Sequence, residues 1–200
     1  MPRAKSEKRE NLVSTAMLHF WRHGYEATSV DDLVRATGVS RQGIYGDAGG
    51  KDALFVQCLH AYVEAVVTPA FARVERNGAM LDAVADYFEH QIARGQEAGL
   101  PGPGCLLTNT MTEVAPHRNE IMHIVARHNE RLRQGFAAAI TNTATAAGRT
   151  LDRRECYALA TTLVVFANGL WTMSRTVDDA AVLRGAVLKM LQLTNSRIAA

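Results

Sequence analysis

Arginine and glutamine follow one another at Arg41 and Gln42, directly after Ser40, a residue type that can begin a helix. The guanidinium of arginine can donate two hydrogen bonds to guanine, and the amide of glutamine can bond adenine in the same way. Each such pair is worth roughly 1–3 kcal/mol of discrimination against the wrong base. Side chains at the N-terminal end of a short helix can reach base edges in the major groove. These residue types at this position therefore favour contact with duplex DNA.

The helix that carries these side chains needs neighbours to position it. We predict helix over Arg41–Tyr45, about one and a half turns, and so short a helix is unstable alone. A second helix precedes it, because Ser29 and Asp32 have the spacing of a capping box and Gly38 can adopt the positive φ that ends a helix. Two short helices joined by a tight turn predict a helix-turn-helix.

Contacts with phosphate fix the register of a protein on DNA without reading its sequence, and they use hydroxyls, helix N-termini and positive charge. We expect base contact from Arg41 and Gln42, with Gly43 leaving room for close approach. The remaining predicted DNA-binding residues are Thr28, Ser29, Ser40, Tyr45 and Lys51. The alternative is that Tyr45 is a core residue and that Arg41 is only solvated.

The stretch Arg9–Phe55 resembles the DNA-binding head of the TetR family of transcriptional regulators. The resemblance runs, in order, through His23-Gly24-Tyr25, Ala27-Thr28-Ser29-Val30, Ala36-Thr37-Gly38-Val39-Ser40, Ile44-Tyr45 and Lys51-Asp52-Ala53-Leu54-Phe55. It implies an all-α fold of about nine helices, with a three-helix DNA-binding domain at residues 1–51 and a helical ligand-binding and dimerisation domain at residues 52–200. A later stretch, Gly104–His117, looks like a segment found in one branch of the family.

The chain departs from this family at Ala48, where the family usually has a bulky aromatic residue that anchors the recognition helix to the next helix. Truncating a buried Phe to Ala costs roughly 3–5 kcal/mol. Two glycines, Gly49 and Gly50, follow. We expect either that a neighbouring residue compensates or that the head is linked more loosely to the body.

Charge and cysteine content fit an intracellular DNA-binding protein. Residues 1–51 hold eight Lys/Arg and six Asp/Glu, whereas residues 52–200 hold fourteen of each. The excess positive charge lies at the N-terminus, on Arg3, Lys5, Lys8 and Arg9. A phosphate backbone would attract these side chains, although a solvated tail explains the charge equally well.

Three cysteines without a CxxC pair favour the reducing cytoplasm. The charged start and the lack of an 18-residue apolar run predict neither a signal peptide nor a membrane span.

The pattern after residue 52 is helical. We expect a first helix over Lys5–His23 and a kink near Val66–Pro69, where proline removes a backbone donor. The last two helices, roughly Arg153–Thr176 and the helix opened by Asp178, are apolar over more of their circumference than a monomer needs. In the family the equivalent pair forms a four-helix bundle in a homodimer, which would read two half-sites about 34–36 Å apart. The alternative is that both helices pack inside one subunit.

The resemblance implies a small-molecule pocket in the body, which the residues permit but do not require. The candidate ligand-binding residues are Tyr62, Phe88, Asn109, Met111, Thr112, Met122, Phe166, Asn168 and Trp171. Aromatic and methionine residues at helical spacing more often belong to an ordinary core than to a ligand-binding site. The polar members are slightly better candidates, because burying an unpaired polar group costs roughly 1–3 kcal/mol, although they can also bond one another or a water.

Cys105 follows a Gly/Pro-rich loop and opens a predicted helix, where backbone amides and the helix dipole favour the thiolate. This placement is compatible with sensing of an oxidant or electrophile, but a cysteine at such a position is more often a small buried core residue. No metal site is expected, since His19 and His23 have i, i+4 spacing but no evident third ligand.

These features predict a DNA-binding transcriptional regulator, a repressor released from a palindromic operator by a small-molecule signal, such as a reactive electrophile or oxidant. One alternative is a DNA-binding protein without a ligand, either constitutive or architectural. A second is an all-helical enzyme, against which the sequence lacks a nucleophile–base constellation, a P-loop, GxGxxG and GxSxG. No cofactor is expected.

Overall fold

The computed structural model describes residues 11–199, and this part of the chain forms nine α-helices and no β-strand. The all-α prediction is confirmed. The helices are α1 (Leu12–His23), α2 (Val30–Thr37), α3 (Arg41–Ala48), α4 (Lys51–Phe71), α5 (Leu81–Ala98), α6 (Leu106–Glu113), α7 (Asn119–Ala146), α8 (Arg153–Met173) and α9 (Ala180–Ala199). A 3₁₀ turn, Ala115–His117, lies between α6 and α7.

The chain divides into two compact units. The first unit consists of the chain up to Val67 together with Cys105–Val125, and the second consists of Thr68–Gly104 and the chain from Ala126 onward. The first unit is therefore discontinuous, because α6 and the first turns of α7 belong with the N-terminal helices. The two units are defined by how compactly their residues pack. The boundary that the sequence predicts between residues 51 and 52 separates a DNA-binding domain from a ligand-binding domain, and it stays a prediction.

The core of the first unit joins α1 to α4 through aromatic rings. Phe20 lies 4.9 Å from Phe55 in an edge-on arrangement, and Tyr25 lies 4.7 Å from Phe55, measured between ring centroids. Leu33 of α2 and Ile44 of α3 are fully buried. Burial of these apolar side chains is the main stabilising term that holds the short helices α2 and α3 in place.

The second unit has its own aromatic core. Phe71 packs edge-on against Tyr87 at 5.2 Å and against Phe136 at 5.5 Å, and Phe88 lies 6.1 Å from Trp171. These rings come from α4, α5, α7 and α8, so four helices share one core.

The helix ends follow local chemistry with one correction. Helix α1 ends at His23, as predicted, with Gly24 at φ 84°; residues 5–10 of the predicted first helix lie outside the described residues. Helix α3 runs to Ala48, so the predicted end at Tyr45 is wrong. Gly46 is tolerated within the helix, and Gly49, at φ 79°, ends it as a left-handed cap.

The expected kink in α4 takes the form of a π-helical segment, Val63–Val67, just before Pro69. Proline lacks the amide hydrogen and its ring displaces the carbonyl four residues earlier, and a π-bulge is one way in which a helix accommodates such a break.

Two described helices, Lys51–Phe71 and Arg153–Met173, are long and apolar enough to cross a membrane by length and composition alone. The sequence contains no uninterrupted apolar run of about 18 residues, which is why it predicts no membrane span. Core helices pass the same test, so this finding is weak evidence for a membrane.

Candidate nucleic-acid interface

The first helix of the predicted helix-turn-helix begins with a complete capping box. The amide of Asp32 donates to the Ser29 hydroxyl at 3.1 Å, and the amide of Ser29 donates to the Asp32 carboxylate at 2.8 Å. The Ser29 hydroxyl also donates to the Asp32 carboxylate, and this bond, followed by the bond from the Ser29 amide, lowers the pKa of Asp32. Gly38 ends α2 at φ 67°. The sequence prediction for both ends of α2 is confirmed.

The second helix begins at Arg41 because Ser40 caps it, its hydroxyl accepting from the Gly43 amide at 3.2 Å. Gly43 is buried, and a Cβ there would lie 2.7 Å from Cγ1 of Val39. The missing side chain of Gly43 thus allows a close approach to Val39 inside the protein. This finding corrects the expectation that the missing side chain leaves room for DNA.

The outer face of α3 carries the side chains predicted to read DNA. Arg41 and Gln42 are exposed, and Tyr45 is 53 % exposed, so the alternative that Tyr45 is a core residue is wrong. The Arg41 guanidinium donates to the Asp31 carboxylate at 2.7 Å, and this bond raises the pKa of Arg41. An ion pair between two exposed side chains adds little stability, so Arg41 can leave Asp31 for another partner at small cost.

Thr28 faces inward. It is 1 % exposed, and its hydroxyl donates to the Gly24 carbonyl oxygen at 2.6 Å, so it holds the turn before α2. The predicted phosphate contact through this hydroxyl is therefore corrected. Ser29 remains exposed, and Lys51 is half-buried with its Nζ 4.0 Å from the centre of the Tyr25 ring. The N-terminal arm with Arg3, Lys5, Lys8 and Arg9 lies outside the described residues.

Two contacts lie where the family aromatic is missing. The Gln57 side-chain amide donates to the Ala48 carbonyl oxygen at 3.2 Å. The ring of Tyr45 lies over Gly50, where a Cβ would be 3.0 Å from Cε1. Ala48 itself is buried. A polar bond and a ring contact therefore connect α3 to the start of α4 beside Ala48.

Sequence reasoning missed a charged cluster beneath the helix-turn-helix. The Tyr25 hydroxyl donates to the Asp52 carboxylate, and the Arg118 guanidinium donates to the same carboxylate at 2.5 Å. The bond from Tyr25, followed by the bond from Arg118, lowers the pKa of Asp52. Burial, followed by the bond to Asp52, raises the pKa of Tyr25. Asp52 and Arg118 are 66 residues apart, so no local pattern could reveal the pairing.

The predicted ligand-binding residues differ in burial. Tyr62, in the first unit, and Phe88 and Trp171, in the second, are buried, whereas Thr112 and Met122 are exposed. The exposure of Thr112 and Met122 contradicts their prediction as pocket residues. The half-buried members are Asn109, Met111, Phe166 and Asn168.

Within the second unit, some of these residues contact one another. The Phe88 ring lies 5.7 Å from Phe166, in an edge-on arrangement. The side-chain amide of Asn168 donates to Asn129 at 3.2 Å and to the Val164 carbonyl oxygen at 3.1 Å. Asn168 therefore bonds protein groups, which is one of the alternatives considered for the polar ligand-binding candidates. Within residues 11–199, the Nδ1 atom of His128 is buried without a hydrogen-bond partner, a feature for which the sequence carries no signal.

The three cysteines are free and buried. Cys105 is the N-cap residue of α6, so the prediction that it opens a helix is confirmed, while its reactivity stays a prediction. Burial raises the pKa of the Cys58 thiol to about 12, and this thiol contacts the Val13 carbonyl oxygen at 3.5 Å. Among the described residues, no group of three or more His, Cys, Asp or Glu side chains could hold a metal ion.

Two family models match the chain. The model for bacterial regulatory proteins of the tetR family matches residues 12–58, and the model for the tetracyclin repressor-like C-terminal domain matches residues 79–190. The HTH-type transcriptional repressor ComR of Escherichia coli is 33 % identical over 138 residues, which are 67 % of this chain and 65 % of that protein. The uncharacterized HTH-type transcriptional regulator YezE of Bacillus subtilis is 28 % identical over 62 % of this chain and 64 % of that protein. The chain thus spans a little under two thirds of these curated relatives.

Solved structures share the fold. A TetR transcriptional regulator from Chloroflexus aurantiacus superposes with a TM-score of 0.78 at 21 % identity, covering 95 % of each chain. A cysteine mutant of the TetR family regulator CifR, complexed with 26-bp double-strand operator DNA, has a TM-score of 0.78 at 19 % identity over 92 % of this chain and 94 % of that one. At this level of identity the likeness supports the arrangement of helices.

Proposed function

Since this chain belongs to the TetR family and is a DNA-binding transcriptional regulator, we propose that it is a repressor that binds a palindromic operator as a homodimer and leaves it when a small molecule binds. The observation that carries the proposal is the exposed N-terminal end of α3, where Arg41 and Gln42 follow the cap residue Ser40. The sign of regulation is proposed from ComR, which is named a repressor.

The proposed DNA contacts divide by chemistry. Arg41 and Gln42 read base edges, because both side chains are exposed on one short helix and can form bidentate bonds. Ser40, Tyr45 and Lys51 contact phosphate, together with Ser29 at the start of α2, through hydroxyls, amides and one positive charge. Gly43 contributes by letting α3 pack closely on Val39.

The proposed homodimer forms through α8 and α9. Large apolar side chains on these two helices are exposed in the single chain: Tyr157, Val165, Met173, Val182, Leu188 and Leu193. An apolar patch of this kind on a soluble protein indicates an interaction surface. A two-fold pair would place two copies of α3 on two half-sites, which doubles the contacts of one short helix.

The proposed effector binds in the helical body. Phe88, Phe166 and Trp171 provide aromatic surface in the second unit, and Asn168 provides a half-buried amide on α8. Small-molecule sites typically combine apolar walls with a few polar groups. Tyr62, Asn109 and Met111 belong to the first unit and stay predicted ligand-binding residues of that unit. We place the protein in the cytoplasm, where free thiols persist. Members of the family are non-enzymatic, so the all-helical enzyme is set aside.

Selection of bound duplexes from a random pool, followed by fluorescence anisotropy and sedimentation, tests the proposal. We expect an enriched palindrome bound by a dimer. Leu188→Arg, on the proposed interface, should yield a monomer with weakened operator binding, whereas Arg154→Ala, an exposed change at the start of α8, should leave both unchanged. A wild-type monomer, or a pool without enrichment, would refute the proposal. Operator binding that no small molecule relieves would favour the ligand-free alternative.

A further inference from the structure

Glu113 is the last residue of α6, and a carboxylate at the C-terminal end of a helix is disfavoured by the helix dipole. Its interactions lie with another segment of the same compact unit. The Glu113 carboxylate accepts from the backbone amides of Tyr25 at 3.2 Å and Glu26 at 2.8 Å. Hydrogen bonds to a charged acceptor are about twice as strong as neutral ones. Glu113 therefore binds the turn between α1 and α2.

The turn is shaped to receive this carboxylate. Gly24 has φ 84°, and a Cβ at this position would lie 2.9 Å from Oε1 of Glu113. Any side chain there would push the carboxylate away from the two amides. The turn itself is closed by the Thr28 hydroxyl on the Gly24 carbonyl oxygen, so the carboxylate, the turn and the start of α2 form one bonded structure.

Arg118, five residues after Glu113, makes the second contact. Its guanidinium donates to Asp52 in the first turn of α4 at 2.5 Å and lies 5.0 Å from the centre of the Tyr25 ring. Lys51 approaches the same ring at 4.0 Å. Tyr25 is thus held by its amide, its hydroxyl and its ring.

These contacts lie on both sides of the helix-turn-helix along the chain. Tyr25 and Glu26 precede α2, which begins at Val30, and Asp52 follows α3, which ends at Ala48. The segment between the two held points contains all of α2 and α3. Residues Glu113 and Arg118 therefore fix both ends of the DNA-reading element.

We propose that Glu113 and Arg118 are positioning residues for DNA recognition, which hold the two ends of the helix-turn-helix to residues 113–118, at and after the C-terminal end of α6. The proposal rests on the proposed function. Neither side chain needs to contact DNA. Their removal would let α2 and α3 move relative to α4, which disturbs contacts that need exact register, namely base readout, more than contacts with phosphate.

The test measures the affinity of the full-length protein for the selected operator and for a scrambled duplex of equal length. We expect Glu113→Ala to weaken operator binding about tenfold, which corresponds to 1.4 kcal/mol, and to leave the scrambled duplex within about twofold. Glu113→Gln should fall between, because its amide oxygen can still accept from one backbone amide. Arg118→Met should behave like Glu113→Ala. The controls Glu120→Gln and Arg127→Met, exposed on α7, should change neither affinity.

Equal losses on both duplexes, or variants that match the controls, would overturn the proposal. Glu113→Gln has nearly the shape of the natural residue, so it decides the matter if the alanine variant does not fold. Amide hydrogen exchange across residues 25–48, measured without DNA, gives a second readout. Faster exchange in the variants than in the controls supports the positioning role, and unchanged exchange refutes it, even if the wild type selects no operator and the proposed function itself fails.

Discussion

The side-chain amide of Gln57 donates a hydrogen bond to the carbonyl oxygen of Ala48 over 3.2 Å, and so connects the second turn of α4 to the last residue of α3. The last four carbonyl groups of a helix lack intrahelical partners. A side chain from the next helix therefore satisfies one of them at the position where related proteins place an aromatic ring. This bond and the contact of Tyr45 with Gly50 both connect α3 to α4 beside Ala48.

We expect Gln57→Ala to lower the free energy of unfolding by about 1 kcal/mol, the typical net contribution of one hydrogen bond. Urea unfolding of the full chain measures this difference. The control is Gln192→Ala, which removes an exposed glutamine from α9 and should leave the stability unchanged. A Gln57 variant as stable as the control would show that the bond contributes nothing to the folded state.

The sequence predicted well those features that depend on neighbours a few residues away. The capping box of Ser29 and Asp32 and the left-handed Gly38 belong to this class, because a cap is decided within one helical turn. The predicted end of α3 at Tyr45 is wrong because Gly46 and Gly49 can both end a helix, and only tertiary contacts decide between them. Long-range contacts had no local signal: Glu113 lies 88 residues from Tyr25. Burial of Thr28 likewise depends on packing that spacing alone does not specify.

Tyr25 should resist ionisation. Burial and its bond to Asp52 raise the pKa of Tyr25 above the ordinary value of 10.0. The contribution of this group to stability is therefore complete below the pKa of the unfolded chain and is lost as the pH rises beyond it. In an alkaline spectrophotometric titration, wild type and Tyr25→Phe should show the same phenolate absorbance up to about pH 11. A larger signal from the wild type below that pH would contradict the buried, bonded state.

His128 should make the protein less stable in mild acid. Burial, with a smaller effect of Arg131, lowers the pKa of His128 from 6.5 to about 4. Between these values the unfolded chain binds a proton that the folded chain refuses. Stability from this group is present above pH 6.5 and falls as the pH drops, by at most about 1.4 kcal/mol per pH unit. Urea unfolding should show that the stability of the wild type falls relative to that of His128→Leu as the pH drops across this range.

The control for that series is His90→Leu, which changes an exposed histidine on α5. Its stability difference from the wild type should not vary with pH in the way that the His128 difference does. A His128 difference that stays constant from pH 7 to pH 4 would mean that the imidazole takes up its proton as readily in the folded protein as in the unfolded chain.

Cys105 should be the first cysteine to react if it senses electrophiles. Cys105 is the N-cap residue of α6 and is 9 % exposed, whereas Cys58 is fully buried and burial raises the pKa of its thiol to about 12. We expect limiting iodoacetamide to label Cys105 before Cys58, measured by mass spectrometry, and to release operator from the wild type but not from Cys105→Ser. Release from both proteins would assign Cys105 to the core and remove the sensing role.

Arg41 and Lys51 should affect DNA binding differently. Because Arg41 is proposed to read a base, Arg41→Ala should weaken operator binding about tenfold or more and scrambled DNA much less. Lys51→Met should weaken both duplexes and reduce the salt slope by about one. Asp31→Asn should strengthen binding to both, since it releases the Arg41 guanidinium from its 2.7 Å bond and removes a negative charge beside the proposed phosphate contacts. Anisotropy titrations at several salt concentrations separate these outcomes, and equal effects of the Arg41 and Lys51 changes on both duplexes would exclude the division between base and phosphate contacts.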